Sequence, residues 1–205
     1  MAAAPFSDDF HGTHARDACT GLVLAGGRGT RFGGADKGLV EFRGRPLAQH
    51  ALDLLRPQVR SCLVSANRNR ESYERFGAPV LADEHSGFPG PLAGMATGLA
   101  HCPTRWLLCV PCDMPQLPAA LAESLLRSAL LKHRPAAYAV FDGDPAYVCA
   151  LLHRDLLDPL RAFLAGGQRA VRAWLAACNA CAVDFPDAVG AVNLNSALDL
   201  REALG

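Results

Sequence analysis

A short aliphatic strand that runs directly into a glycine-rich segment constrains the fold of this chain more than any other feature. The strand is predicted at residues 21–24 (GLVL), and the segment that follows, LAGGRGTRFGGADKG at residues 24–38, contains six glycines and three basic side chains. Residues 46–55 then repeat leucine and alanine at the spacing of one helical face. A strand, a glycine loop and a helix in succession are the opening unit of an α/β fold.

Segments of strand length alternate with helical patterns along the remainder of the chain. Further strands are predicted at residues 61–66, 79–83, 106–111, 136–141, 146–152 and 182–185, and helices at residues 70–76, 90–101, 118–132, 154–165, 168–178 and 196–204. Residues 106–111 (WLLCVP) are almost continuously apolar, which is typical of a strand buried on both faces in the middle of a parallel sheet. Residues 136–141 and 146–152 flank a turn sequence and could pair as a hairpin. The alternation predicts an α/β fold with a mostly parallel sheet.

Length, charge and hydropathy narrow the class of protein further. A chain of 205 residues can bury one sizeable core, so we expect a single domain at residues 19–205, preceded by a disordered N-terminal tail at residues 1–18. The twenty basic and twenty acidic side chains give a formal net charge of zero, so the charge of the chain as a whole does not favour binding to nucleic acid. No apolar run approaches the roughly 18 residues of a membrane span, and the N-terminus does not resemble a signal peptide. We therefore expect a cytoplasmic protein that binds neither membrane nor nucleic acid.

The glycine-rich segment has the chemistry of a phosphate-binding loop. Glycines let backbone N–H groups approach an anion closely, and Arg28, Arg31 and Lys37 can neutralise the charge of a triphosphate. A flexible surface turn is the alternative, but the strand context and the density of glycine and charge disfavour it. The segment is not a P-loop, because Gly38 rather than Ser or Thr follows Lys37, and Phe32 stands where a dinucleotide fingerprint has its third glycine.

One carboxylate is placed to bind a metal. Asp113 comes just after the apolar strand of residues 106–111, and ligands of open α/β sheets bind beyond the carboxyl ends of the strands. Magnesium takes one or two carboxylates together with substrate phosphates, so Asp113 is the candidate Mg²⁺ ligand. An aspartate that caps the next helix is the alternative interpretation.

Several motifs, in order along the chain, resemble those of molybdenum cofactor guanylyltransferases. Residues 24–27 (LAGG), Arg31, residues 33–34 (GG) and residues 36–38 (DKG) resemble the LAGGxxxRxGGxDKG signature of that family. Sugar-nucleotide pyrophosphorylases share the GGxGTR beginning but have a longer spacer between the arginine and the lysine. The resemblance extends over nearly the whole chain after the tail, through Gly44 with Pro46, Leu47 and His50, then Ala66, Asn67, Arg68 and Tyr73, residues 90–95 (GPLAGM), Pro111, Cys112, Asp113 and Pro115, and residues 193–195 (NLN).

The resemblance implies a Rossmann-like three-layer nucleotidyltransferase fold and a Mg²⁺-dependent enzyme. Such an enzyme transfers GMP from GTP to molybdopterin or Mo-molybdopterin and releases pyrophosphate. The catalytic residues that it implies are Arg31, Lys37 and Asp113, with Asp113 as the metal ligand. The nucleotide site that it implies consists of Leu24, Ala25, Gly26, Gly27, Lys37, Ser65, Asn67, Asp83, Gly90, Gly94 and Asp113.

Two positions of that site bear on recognition of the base. Asp83 could accept hydrogen bonds from the ring N–H and the amino group of guanine, which cytosine does not offer in the same geometry. Ser65 departs from the family, in which asparagine occurs at the corresponding position, and a hydroxyl reaches less far than an amide. On the acceptor side, Arg169, Asn193 and Asn195 are candidates to face the pterin or to complete the metal shell.

The expected partners are therefore small molecules, with transient contact to other cofactor-biosynthesis proteins and to recipient molybdoenzymes. Three other functions remain open: a related nucleotidyltransferase with another base or acceptor, a zinc-dependent interaction module, and a catalytically silent nucleotide-binding protein. The zinc hypothesis rests on two CxxC spacings, Cys109 to Cys112 and Cys178 to Cys181. Residues three apart on a strand point to opposite faces, so the first pair is not expected to share one ion. Without an export signal, we expect the eight cysteines to be reduced and mostly buried.

Overall fold

The computed structural model describes residues 14–25, 36–83 and 90–186. Its strands are β1 (Cys19–Leu24), β2 (Glu41–Phe42), β3 (Arg45–Pro46), β4 (Ser61–Ser65), β5 (Val80–Leu81), β6 (Trp106–Pro111), β7 (Ala136–Phe141), β8 (Asp144–His153) and β9 (Cys181–Phe185). Its α-helices are α1 (Ala15–Ala18), α2 (Leu47–Leu55), α3 (Arg70–Glu74), α4 (Pro91–Ala100), α5 (Leu121–Leu131), α6 (Leu157–Ala165) and α7 (Val171–Ala177), and 3₁₀ turns lie at Lys37–Leu39 and Arg154–Leu156. The helix predicted at residues 196–204 lies outside the described ranges.

Seven of these strands form one sheet, in the order β5-β4-β1-β6-β8-β7-β9, and β2 pairs with β3 in a separate small hairpin. Neighbouring strands are parallel from β5 to β6 and again between β7 and β9. Only β8 within this sheet runs in the opposite direction, antiparallel to both β6 and β7. The predicted α/β fold with a mostly parallel sheet is confirmed.

The hairpin of β7 and β8 changes the expected surroundings of the central strand β6. Asp142 and Gly143 adopt positive φ angles of 48° and 87°, and this tight turn lets β8 fold back along β7. On its other side β8 pairs with β6, with Ala150 opposite Cys109. Strand β6 is therefore buried on both faces as predicted, but it has one parallel and one antiparallel neighbour.

Helices cover both faces of the sheet, and each face has its own apolar core. On one face, α2 and α5 pack together with Tyr73 of α3 against alternate strand residues such as Val64 and Leu108. On the other face, α4, α6 and α7 pack against the intervening residues, including Leu22 and Leu107. Because successive side chains of a strand point to opposite faces, the central strands contribute to both cores. The result is the three-layer arrangement expected of the fold.

The beginning of the described chain differs from the prediction. The expected tail extended to residue 18, but Ala15 is buried and its N–H donates to Glu123 Oε2 at 3.2 Å. Helix α1 therefore packs on α5 as part of the domain, and the expected boundary is too late. Residues 1–13 of the expected tail lie outside the described residues. Among the helices that the structure describes, none has both the length and the apolar character that crossing a membrane requires.

Candidate active site

The carboxyl ends of β1, β4, β5 and β6 meet at one edge of the sheet. Leu24, at the end of β1, lies opposite Ser65 of β4 on one side and Pro111 of β6 on the other. Beyond the strands, the Ala25 N–H donates to the Ser65 carbonyl oxygen at 2.9 Å, and the Cys112 N–H donates to the Leu24 carbonyl oxygen at 3.1 Å. These backbone groups of Leu24 and Ala25 hold the strand ends together. They bring the residues that follow each strand side by side.

Lys37 and Asp113 lie together at this edge. Asp113 follows β6, and Lys37, near the end of the glycine-rich segment, begins the 3₁₀ turn at Lys37–Leu39. Lys37 Nζ lies 2.5 Å from Asp113 Oδ2, and the two side chains are only 18% and 15% exposed. An ion pair that is largely shielded from water interacts more strongly than a pair on the surface. The residues that the sequence nominated for phosphate binding and metal binding are therefore in contact.

The second carboxylate oxygen of Asp113 shows whether this position suits a metal. Oδ1 is buried and has no hydrogen-bond partner among the described residues. Buried charged groups are ordinarily paired or coordinate a metal, so an oxygen in these surroundings suits a cation. The described residues contain no cluster of three or more His, Cys, Asp or Glu side chains that could hold a metal alone. A single protein carboxylate supplemented by substrate phosphates is a usual arrangement for Mg²⁺, and Asp113 fits it.

Hydrogen bonds on one side of Lys37 and close packing on the other join its neighbours to α3 and the residue before it. The Tyr73 hydroxyl donates to Asp36 Oδ1 at 2.5 Å, and Asn69 Nδ2 donates to Asp36 Oδ2 at 2.9 Å. Gly38 packs so closely against Tyr73 that a Cβ atom at this position would overlap the tyrosine hydroxyl. Helix α3 and the residue before it therefore contact both neighbours of Lys37.

No role in the site was predicted for Asp36, Asn69 or Tyr73 from the sequence. Asp36 is part of the DKG motif, and Asn69 stands before a short helix, where asparagine usually caps the helix itself. The hydrogen bonds to Asp36 join positions 33 and 37 apart in the sequence. No local pattern specifies such a partnership, so only the three-dimensional structure reveals this cluster.

Asn67 and Asp83 form a second pair, beyond the ends of β4 and β5. Asn67 Nδ2 donates to Asp83 Oδ2, and the Asp83 N–H donates to Asn67 Oδ1, both at 2.8 Å. Asp83 Oδ1 is buried and has no partner within the described part of the chain. The amide of Asn67 is thus turned toward Asp83. Of the two residues, Asp83 therefore keeps an acceptor that the pair does not use, its Oδ1.

Ser65 lies beneath the first turn of α4, where Gly94 allows close contact. The Ser65 side chain is buried, and a Cβ atom at Gly94 would lie only 2.6 Å from both Ser65 Oγ and Leu24 Cδ2. Gly94 therefore lets α4 lie directly on the ends of β1 and β4. Gly90, which precedes Pro91 at the start of α4, has a φ of 126° that other residues rarely adopt. Both glycines have structural reasons to stand beside the site.

Among the acceptor-side candidates, Arg169 lies within the described residues. Arg169 Nη1 donates to the carbonyl oxygens of Leu164 at 2.7 Å and Gln168 at 2.6 Å, at the end of α6. Basic side chains near the end of a helix commonly donate to carbonyl groups in this way. The candidate site residues that lie outside the described ranges are Gly26, Gly27, Arg31, Asn193 and Asn195.

The two CxxC pairs are each divided between the cores on opposite faces of the sheet. Cys112 and Cys181 belong to the core with α2 and α5, whereas Cys109 and Cys178 pack in the core with α4, α6 and α7. Burial raises the pKa of Cys112 and of Cys178, each to about 12. Since the thiolate is the form that binds zinc, this burial disfavours metal binding. The members of each pair therefore do not converge on one ion.

The chain is similar to proteins of a known family over most of its length. The family model described as the MobA-like NTP transferase domain matches residues 21–181. Molybdenum cofactor guanylyltransferase of Cupriavidus taiwanensis is 43% identical over 192 residues, which cover 91% of this chain and 96% of that protein. The protein of the same name from Shewanella sediminis is 45% identical over 177 residues, covering 85% of this chain and 90% of the relative. The Bordetella pertussis relative of that name is 42% identical, covering 89% and 95%.

Solved structures agree on the fold. The crystal structure of molybdopterin-guanine dinucleotide biosynthesis protein A from Archaeoglobus fulgidus has a TM-score of 0.74 and 23% identity, and the match covers 90% of this chain and 96% of that one. CMP:2-keto-3-deoxy-manno-octonic acid synthetase, solved with CTP, has a TM-score of 0.68 and 13% identity, covering 92% and 96%. At these identities the likeness establishes the Rossmann-like nucleotidyltransferase fold alone. The identity to the curated relatives establishes more: the chain belongs to the MobA-like NTP transferase family and, within it, to the molybdenum cofactor guanylyltransferases.

Proposed function

We propose that this chain transfers the guanylyl group of GTP to the phosphate of molybdopterin or Mo-molybdopterin and releases pyrophosphate. The contact between Lys37 and Asp113, at the edge where β1 and β6 end, supports this proposal most directly. It joins a cation suited to phosphate with a carboxylate suited to magnesium, at the position where open α/β sheets bind their ligands. The names of the curated relatives supply the acceptor and the base.

The reaction requires neutralisation of charge and no covalent enzyme intermediate. An oxygen of the acceptor phosphate attacks the α-phosphorus of GTP and forms a new P–O bond. The bond from the α-phosphorus to the oxygen that bridges to the β-phosphate breaks, and pyrophosphate leaves with the electron pair. Lys37, with Arg31 from the glycine-rich segment, would place positive charge against the phosphates. Asp113 would hold Mg²⁺, which supplies further charge neutralisation when it is bound.

The surroundings of Asp83 support guanine as the base. Oδ1 is a buried acceptor without a partner among the described residues, and Oδ2 keeps acceptor capacity beyond its bond from Asn67. Guanine presents a ring N–H beside an amino group on one edge, so it can donate to both oxygens of one carboxylate. A base without that pair leaves a buried acceptor unsatisfied, which costs about 1–3 kcal/mol.

The state of the cysteines supports a reducing compartment, and we place the reaction in the cytoplasm. All eight cysteines are free. Disulfides form and persist mainly in oxidising compartments, whereas cytosolic proteins keep their thiols reduced.

Thermal unfolding with each of four nucleotides tests the base and the metal together. A ligand that binds only the native state stabilises it by mass action, by about 2.7 kcal/mol at 100 times its Kd. We expect GTP with magnesium to raise Tm more than CTP, ATP or UTP with magnesium. Asp113→Ala should remove the magnesium-dependent part of this increase, whereas Asp158→Ala, at a position 93% exposed on α6, should retain it. Equal stabilisation by the four nucleotides, or greater stabilisation by CTP, contradicts the assignment of guanine.

A further inference from the structure

Lys37 lies between two residues that both contact the same tyrosine. Asp36 accepts the hydrogen bond from the Tyr73 hydroxyl at 2.5 Å, and Gly38 leaves no room for a side chain beside that hydroxyl. The lysine side chain is long and flexible, so its reach and direction depend on where its backbone is held. Both backbone neighbours of Lys37 are held by Tyr73.

The hydroxyl of Tyr73 has no role in filling the core. Tyr73 is fully buried and packs edge to face on Phe76, with ring centroids 5.8 Å apart. A phenylalanine ring would fill the same space without the cost of burying a polar group. Burial raises the pKa of Tyr73 well above its ordinary value, and the hydrogen bond to Asp36 raises it further, so the hydroxyl remains a donor. The partner that offsets its burial is Asp36 of the DKG motif.

The side chain of Asn69 gives independent evidence that the hydrogen bonds to Asp36 support the segment that carries Lys37. It occupies the N-cap position of α3 with a left-handed backbone (φ 52°, ψ 34°), yet its side chain makes no capping hydrogen bond. The amide donates instead to Asp36 Oδ2 at 2.9 Å. An asparagine at an N-cap ordinarily stabilises its own helix. Here that contribution is given up in favour of the carboxylate next to Lys37.

We propose that Tyr73 is a positioning residue for Lys37: through Asp36 and Gly38, its hydroxyl fixes the backbone that presents the lysine to the phosphates and to Asp113. Asn69 supports the same carboxylate from its other oxygen. The phosphate-binding task of Lys37 is taken from the proposed function. The ligand class involved is a polyphosphate chelated by a divalent cation, without regard to base or acceptor.

A double-mutant cycle with Tyr73→Phe and Lys37→Ala tests this proposal in the full chain. The primary readout is the Kd for magnesium pyrophosphate, measured by calorimetry, because this probe carries neither base nor pterin. We expect Tyr73→Phe alone to weaken its binding about tenfold and to lower kcat/KM for guanylyl transfer by about 10- to 100-fold, since small misplacements of a positioned group have effects of this size. In the Lys37→Ala background, the same substitution should change the Kd by less than about twofold, because it acts through the lysine.

A merely structural role gives a different pattern. If Tyr73→Phe weakens pyrophosphate binding by the same factor with and without Lys37, or does not weaken it when Lys37 is present, the proposal is wrong. As a control, Tyr138→Phe removes the hydroxyl of a tyrosine on β7 and should leave the Kd for magnesium pyrophosphate unchanged. If guanylyl transfer is absent while the cycle shows coupling, the proposed function fails and the positioning role stands.

Variants of Asp36 keep the test decisive if Tyr73→Phe does not fold. Asp36→Ala deletes the acceptor of the same hydrogen bond and should reproduce the loss of pyrophosphate affinity, again only when Lys37 is present. Asp36→Asn keeps an amide oxygen in the place of Oδ1 and should lose less affinity than Asp36→Ala. Equal affinity of the Asp36→Ala variant and the unmodified chain would overturn the proposal.

Discussion

The two oxygens of Asp83 differ in their surroundings, and this difference assigns a task to Asn67. The Asn67 amide donates to Oδ2 and also accepts the backbone N–H of Asp83, so both of its polar atoms are engaged by one residue. Oδ1 remains buried without a partner among the described residues. Asn67 therefore orients the carboxylate of Asp83, the group that we propose reads the base.

Removal of the Asn67 amide should reduce selectivity for guanine. For Asn67→Ala we expect the Kd for GTP to rise about 5- to 10-fold, since a hydrogen bond of this kind contributes about 1 kcal/mol, while binding of CTP changes little. Titration calorimetry with magnesium and each nucleotide measures both values. Gln49→Ala is a matched control, because it deletes a side-chain amide that donates a hydrogen bond to Asp53 on α2, outside the site. A loss of equal size for GTP and CTP would show that Asn67 does not act through base recognition.

Among the elements, helix α4 packs directly on the sheet because glycine occupies two positions of its inner face. A Cβ atom at Gly98 would lie 2.5 Å from Leu22 Cδ2 and 2.9 Å from Leu107 Cδ2, and both leucines are fully buried. One turn earlier, Gly94 has the same relation to the ends of β1 and β4. The close packing of α4 sets the position of its first turn, which lies beside the strand ends of the site.

We expect replacement of Gly98 by alanine to destabilise the protein, which is the opposite of the ordinary effect of this substitution within a helix. Glycine to alanine within a helix usually stabilises by about 1 kcal/mol, but overpacking of a rigid core costs about 1–3 kcal/mol. Because Leu22 and Leu107 have no exposed surface into which to move, we expect Gly98→Ala to lower the free energy of unfolding in urea. The control Gly166→Ala, at the end of α6, meets no atom closer than 3.4 Å and should be neutral or stabilising. Greater stability of Gly98→Ala would contradict the packing described for α4.

Most elements were predictable because their patterns are local. Strand β6 has the bounds that its apolar run predicts, and the turn sequence at residues 142–145 correctly predicts the hairpin of β7 and β8, although β8 already begins at Asp144. The insertion of β8 beside β6 was not predictable, since an alternating or apolar pattern shows that a strand is buried but not which strand lies next to it. The helical turn at Ala15–Ala18 was also missed, because four residues carry too little periodicity.

At the scale of the whole molecule, the sheet topology assembles a site from segments that are distant in the sequence. Parallel strands end at the same edge, so Asp113 was predictable from its place after a buried strand, and Lys37 from the glycine-rich motif. Their contact was not, because it joins residues 76 apart. The same limit applies to the bond from Tyr73 to Asp36. Sequence patterns indicate which side chains belong to the candidate site. Only the fold shows which of these side chains are in contact and which residues support them.

The central claim is that the chain transfers the guanylyl group of GTP to molybdopterin. The fate of the α-phosphorus of GTP tests this claim most directly. GTP labelled at that phosphorus is incubated with the protein, magnesium and molybdopterin, and the label is followed by chromatography. We expect the label in a pterin dinucleotide, in an amount equal to the pyrophosphate released. Lys37→Ala and Asp113→Ala should each slow this transfer by about 100-fold or more, since both remove charge from the reacting phosphates. The exposed controls Lys132→Ala and Asp158→Ala should retain it. Label found only in GMP or unreacted GTP, or undiminished transfer by Asp113→Ala, would contradict the claim.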